Sequence, residues 1–171
     1  MPKLSKYIFM YQNEQPVLTI ETRAELSSLR KVIEESSLKI AKYIEEKNRF
    51  LTDVPFVVYH NNNVEDLEIE ICFPINEHIH GSGDIKFSVL PEGEIVLCMF
   101  QGGHLGRKHM YEEMFKWLDD NGYEYYPRAY EYFYIGDEAS DDKTLAKIVI
   151  GVTNGPYSQK KADGKQPEYF Q

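Results

Sequence analysis

A chain of 171 residues, 42% hydrophobic and 27% charged, carries enough apolar material for one core and too little length for two ordinary domains. Its 28 acidic residues outnumber 19 basic ones, and the resulting net charge of −9 repels phosphate backbones and anionic lipid surfaces. That balance argues against direct nucleic-acid binding and membrane attachment.

Taken in order, Met1-Pro2-Lys3-Leu4-Ser5-Lys6 leads into no long apolar segment, and no run approaches a membrane span, so a cytoplasmic location is expected. The first predicted strand is Val17 to Thr22, behind Pro16. From Leu26 to about Lys47 the period changes. Leu29, Ile33, Ser36/Ser37, Ile40 and Ile44 recur every three or four residues while Arg30, Glu34, Lys39, Lys42 and Glu46 point away, which predicts an amphipathic helix. Two strands follow, Phe56 to His60 and Leu67 to Ile75, joined through Asn61-Asn62-Asn63. In the second, Leu67, Ile69, Ile71 and Phe73 alternate with Glu68, Glu70 and Cys72.

Gly81-Ser82-Gly83-Asp84 forms a loop, and the turn chemistry of Pro91-Glu92-Gly93 predicts a hairpin of Ile85 to Leu90 with Glu94 to Phe100. Gly102-Gly103 breaks that strand. A second helix is predicted from about Arg107 to Asn121, with Met110, Met114 and Leu118 on one stripe and Gly122 as its stop. Tyr130 to Ile135 and Leu145 to Val152 supply two more strands, and residues 154–171 read as a loosely held polar tail. Cys72 and Cys98 sit inside apolar runs, as free thiols in a reducing compartment do.

The order strand, helix, strand, strand occurs twice. Sliding the chain by 78 positions sets Val17 on Ile95, Glu34 on Glu112 and Ile40 on Leu118. The expected fold is therefore α+β: two tandem strand–helix–strand–strand modules with pseudo-twofold symmetry, about 15–80 and 84–153, within one domain spanning 1–153. A mainly antiparallel sheet, two helices and a central ligand cleft complete the expectation.

Aromatic residues make up 13% of the chain, and they concentrate in Tyr123-Glu124-Tyr125-Tyr126-Pro127-Arg128-Ala129-Tyr130-Glu131-Tyr132-Phe133-Tyr134. Strand alternation sets Glu131 and Phe133 on one face and Tyr130, Tyr132 and Tyr134 on the other. Either Glu131 stands in water at a sheet edge, or a ligand cation pairs with it and the rings add cation–π attraction. Glu70 poses the same choice one repeat earlier, and paired carboxylates also serve general acid/base chemistry. Trp117, Tyr111 and Tyr59 divide between core and ligand platform. His78 and His80, two apart in a polar loop, are too few for a metal site without further ligands. No metal site, cofactor motif, Ser/His/Asp order or CxxC is apparent.

Phe56-Val57-Val58-Tyr59-His60 with Glu65-Asp66-Leu67-Glu68-Ile69-Glu70-Ile71-Cys72-Phe73-Pro74-Ile75 resembles the first half of the GyrI-like small-molecule-binding domains. These domains also serve as effector-binding domains of some AraC-type and MerR-type regulators. Phe100-Gln101-Gly102-Gly103-His104, Tyr111-Glu112 through Trp117, Asn121-Gly122-Tyr123 and Tyr130-Glu131 resemble the second half. The resemblance, over about Pro16 to Val152, implies a cleft whose acidic residue receives cationic, aromatic ligands. That role carries over to Glu131, with Glu70 as its counterpart and Tyr59, Phe100, His104, Tyr111, Trp117 and Phe133 as further ligand contacts. His104 stands where many relatives have Tyr, which bears on ligand identity.

Such regulators place a helix-turn-helix domain ahead of the ligand module, and the roughly fifteen residues before the first predicted strand hold none. Three functions follow from the resemblance. The first is capture of hydrophobic, cationic small molecules for sensing or sequestration. The second is hydrolytic opening of cyclopropane rings in genotoxic natural products, with Glu131 and Glu70 as catalytic carboxylates. The third is a protein partnership, with DNA gyrase or a regulator.

Overall fold

The computed structural model describes residues 3–102, 104–134 and 144–158, and only the backbone of 104–108. Gly103, Ile135 and the tail from 159 onward lie outside the described residues, as does the side chain of His104. Eight strands and two long helices make an α+β fold with mainly antiparallel pairing: β1 (Ile8–Gln12), β2 (Gln15–Ala24), α1 (Leu29–Glu46), β3 (Phe56–Tyr59), β4 (Leu67–Pro74), β5 (Lys86–Leu90), β6 (Gly93–Gln101), α2 (His104–Asp120), β7 (Ala129–Phe133) and β8 (Leu145–Val152). A 3-10 turn, Leu26–Ser28, leads into α1.

Contacts divide the chain into two compact units. One comprises Glu14–Pro91 with Tyr130–Tyr132, and the other Met1–Asn13, Glu92–Ala129 and Phe133 onward. In the first unit β4 lies between β3 and β2, and β5 borders the far side of β2. Helix α1 packs against β2 and β4. Its predicted stripe is realised in buried Leu29, Ile40 and Ile44, which meet an apolar sheet as an amphipathic helix must. In the second unit β6 lies between β1 and β8. There Met110, Met114 and Leu118 of α2 close a core over Val96, Cys98, Phe100, Ala146, Ile148 and Ile150. Within each module the second strand neighbours the third and the third neighbours the first, so the repeat of order extends to strand pairing.

Three expectations need correction. A strand precedes Val17, because Ile8–Gln12 pairs antiparallel with β6. Pro91-Glu92-Gly93 does not close a hairpin: β5 pairs with β2 while β6 pairs with β1 and β8. Local turn chemistry there marks the passage from one unit to the other. Residues 154–158, assigned to the tail, are tied to their unit. The side-chain amide of Asn154 donates to the Gly122 carbonyl, and the Tyr157 and Ser158 amides donate to Glu94 at 2.6 and 3.3 Å.

Candidate functional site

Register decides which side chains of the first unit share a face. Phe56 stands opposite Cys72, and Val58 opposite Glu70, while Thr19 and Glu21 of β2 stand opposite Cys72 and Glu70. These residues therefore occupy one face, and Val57, Tyr59, Ile69 and Ile71 occupy the other. The Phe56 ring stacks on Tyr132 at 4.6 Å and tilts against Tyr130 at 6.2 Å. Tyr130 and Tyr132 thus lie on the Phe56 face, and alternation turns Glu131 to the face of Tyr59.

Glu131 is 1% exposed. Burying a carboxylate to this degree is costly unless other groups compensate it, and Glu131 does take part in an interaction within the chain. Its strand neighbours Ala129 and Phe133 point the same way.

On the opposite face, Glu70 sits in a cavity of about 390 Å³ lined by Glu21, Thr22, Arg23, His60, Glu68, Ile69 and Glu70. His60 Nε2 lies 2.6 Å from Glu70 Oε1, with the two side chains 24% and 21% exposed. The Thr19 hydroxyl donates to the other Glu70 oxygen at 3.2 Å. Arg23 is engaged at the rim, 2.8 Å from Asp66 and 3.6 Å from Glu68. Beneath the cavity, burial pushes the Cys72 thiol up to about 12, and the charges of Glu70 and Glu21 add to that push against an opposing hydrogen bond with Thr19. No group of three or more His, Cys, Asp or Glu among the described residues is disposed to hold a metal ion.

The structure brings some of the predicted site residues together and separates others. Tyr59 and Glu131 share a face of the first unit, and Glu70 lies on the reverse of it. Phe100 is fully buried in the core of the second unit, with Tyr111, Trp117 and Phe133 packed against that core. Trp117 sits among Tyr7, Phe9 and Tyr123, with ring centroids 4.7, 6.0 and 5.7 Å away. His104 opens α2. Sequence reasoning missed His60 as the partner of Glu70. Its place at the end of a strand run was visible, but the diagonal contact depends on a register that only pairing fixes.

Residues 5–153 match the family model described as GyrI-like small molecule binding domain. No curated protein matches. Among solved structures, the crystal structure of the EcmrR C-terminal domain is similar with a TM-score of 0.77 at 21% identity, covering 87% of this chain and 98% of that one. In the cryo-EM structure of the EcmrR–DNA complex the match covers 86% of this chain and 57% of that one, with a TM-score of 0.76 at 20% identity. This chain thus spans little more than half of that regulator's length. A hydrolase from Listeria innocua (TM-score 0.65, 12% identity, 89% and 93% covered) and SAV2435 bound to tetraphenylphosphonium (TM-score 0.61, 10% identity, 86% and 94% covered) share the fold.

Proposed function

The chain belongs to the GyrI-like small-molecule-binding domain family, and from that premise we propose that it captures hydrophobic, cationic small molecules through Glu131, for sensing or sequestration. The observation that carries this reading is a carboxylate buried to 1% exposure on a strand face that also bears Tyr59. A cation reaching that carboxylate interacts with it in a medium of low effective dielectric, where the attraction is several times stronger than in water. Flanking rings add cation–π attraction of about 0.5–2 kcal/mol. SAV2435, which shares the fold, has been solved with such a cation, tetraphenylphosphonium. The ring-opening hydrolase reading asks Glu131 and Glu70 to act on one substrate. Their placement on opposite faces of the first unit supports binding over that chemistry.

Calorimetric titration with tetraphenylphosphonium and with tetraphenylborate, an anion of the same shape, tests the reading. The cation is expected to bind one-to-one and the anion not to bind. Glu131→Gln is expected to weaken the cation about tenfold or more, a loss of roughly 1.4 kcal/mol per decade. Equal affinity for the two ions, or an unchanged constant in Glu131→Gln, overturns charge recognition at this residue.

A further inference from the structure

Strand β1 (Ile8–Gln12) pairs with β6 along one edge, and among the described residues no strand lies along the other. Its side chains divide by alternation. Tyr7 and Phe9 pack on the core of the second unit, while Ile8 and Met10 on the opposite face are each 42% exposed. A free edge is a row of unpaired N–H and C=O groups, and proteins blunt such edges with charge, proline or a covering element. From Tyr7 to Asn13 this chain, 27% charged overall, carries no charged residue and no proline.

The charges resume symmetrically. Lys6 lies two residues before the strand and Glu14 two residues after it, both exposed. Neither side chain takes part in an ion pair among the described residues. Met10 is the midpoint of β1. A second copy laid antiparallel along the free edge, on a twofold axis at Met10, sets Lys6 of each copy opposite Glu14 of the other. Ile8 then faces Gln12, Phe9 faces Tyr11 and Met10 faces itself. An isologous pairing needs a stretch that complements itself under reversal, and this one does. Opposite charges across a strand pair stabilise it, and like charges directly opposed do the reverse. The other border strand, β5 (Lys86–Leu90), lacks this property. Pairing about its midpoint Ser88 sets Asp84 opposite Glu92, acid on acid, and Lys86 blunts the edge.

We propose that the free edge of β1 is a docking surface for a second copy of this chain. The two β1 strands pair antiparallel about Met10, with a Lys6–Glu14 ion pair at each end. Two copies of net charge −9 repel at a distance, so they meet only where the seam is neutral and its flanks are complementary. Backbone hydrogen bonds supply the attraction, and the flanking charges fix direction and register. A seam of five residues per copy is small beside those of permanent dimers, and the association is reversible. It uses none of the residues assigned to ligand capture and stands independently of the Glu131 reading.

Sedimentation velocity of the full chain, from micromolar to millimolar concentration, tests the proposal, and a reversible monomer–dimer equilibrium is expected. Met10→Lys sets two ammonium groups face to face at the axis. It is expected to weaken the dimer about tenfold or more, with an unchanged circular dichroism spectrum. Lys6→Glu alone and Glu14→Lys alone should each loosen the dimer several-fold. The two together should restore it, a recovery that misfolding cannot mimic. Val89→Lys, at an exposed position on β5, should leave the constant unchanged. Mild oxidation with diamide reads the register, since Cys72 and Cys98 are buried. Met10→Cys is expected to cross-link to itself, because opposed Cβ atoms lie about 4.5–5.5 Å apart, and Ile8→Cys, opposite Gln12, to cross-link far more slowly. A monomer throughout the concentration range, a dimer that survives Met10→Lys, a double charge swap that stays dissociated, or equal cross-linking of the two cysteine variants overturns the proposal.

Discussion

Two buried carboxylates among the described residues, Glu94 and Glu131, stand in different surroundings. Glu94, 2% exposed on β6, accepts the Tyr157 amide at 2.6 Å and both the amide and the hydroxyl of Ser158, at 3.3 and 3.2 Å. It serves as a clasp for the chain beyond β8. Gly155 leaves room for that clasp, since a Cβ there would fall on the Glu94 carboxylate. Glu94→Ala deprives the half-buried Tyr157 and Ser158 amides of a charged acceptor and is expected to cost about 1–3 kcal/mol. Gly155→Ala should destabilise in the same direction by displacing the carboxylate. Urea unfolding measures both, and an unshifted midpoint in Glu94→Ala would mean that the clasp is ornamental. Glu131 sits on the face of the first unit that also bears Tyr59. The row on which it lies was legible from alternation alone, as was the split between Glu131 and the tyrosines. Its burial was not legible, because a strand's depth depends on what its neighbours cover. The same holds for the His60–Glu70 contact, which register creates between positions ten residues apart.

Element by element, the sequence was most informative where a period persisted. Helix α1 spans eighteen residues with a clear apolar stripe, and α2 shows its Met110, Met114 and Leu118 row. Strand β1 carried no period to detect, since Tyr7-Ile8-Phe9-Met10-Tyr11 is apolar or aromatic throughout. The structure explains this composition. Phe9 meets Tyr123 at 4.9 Å and Trp117 at 6.0 Å, while Ile8 and Met10 on the other face are each 42% exposed. Pro91-Glu92-Gly93 misled for the complementary reason: turn residues report a local bend and say nothing about which strand the next one joins. Phe9→Ala is expected to lose about 2–3 kcal/mol as the ring cluster opens. Ile8→Thr, at an exposed position on the same strand, should stay within about 0.5 kcal/mol of the parent. Thermal or urea denaturation of the two variants makes the comparison. Equal losses would show that β1 does not bury one face selectively.

Across the molecule as a whole, the net charge of −9 acts on any cation before it reaches a site. Such a field raises the local concentration of cationic ligands and speeds their arrival, and salt screens it over a distance that shrinks from about 30 Å at 0.01 M to about 3 Å at 1 M. Once the ligand is held against a carboxylate with 1% exposure, the surrounding salt has little access to the contact. Arrival and departure should therefore respond differently. Stopped-flow binding of tetraphenylphosphonium is expected to show an association rate that falls several-fold as salt rises from about 0.01 M to about 1 M, with a nearly constant dissociation rate. A dissociation rate for tetraphenylphosphonium that climbs with salt as steeply as the association rate falls would place its contact in solvent and remove Glu131 from the binding site.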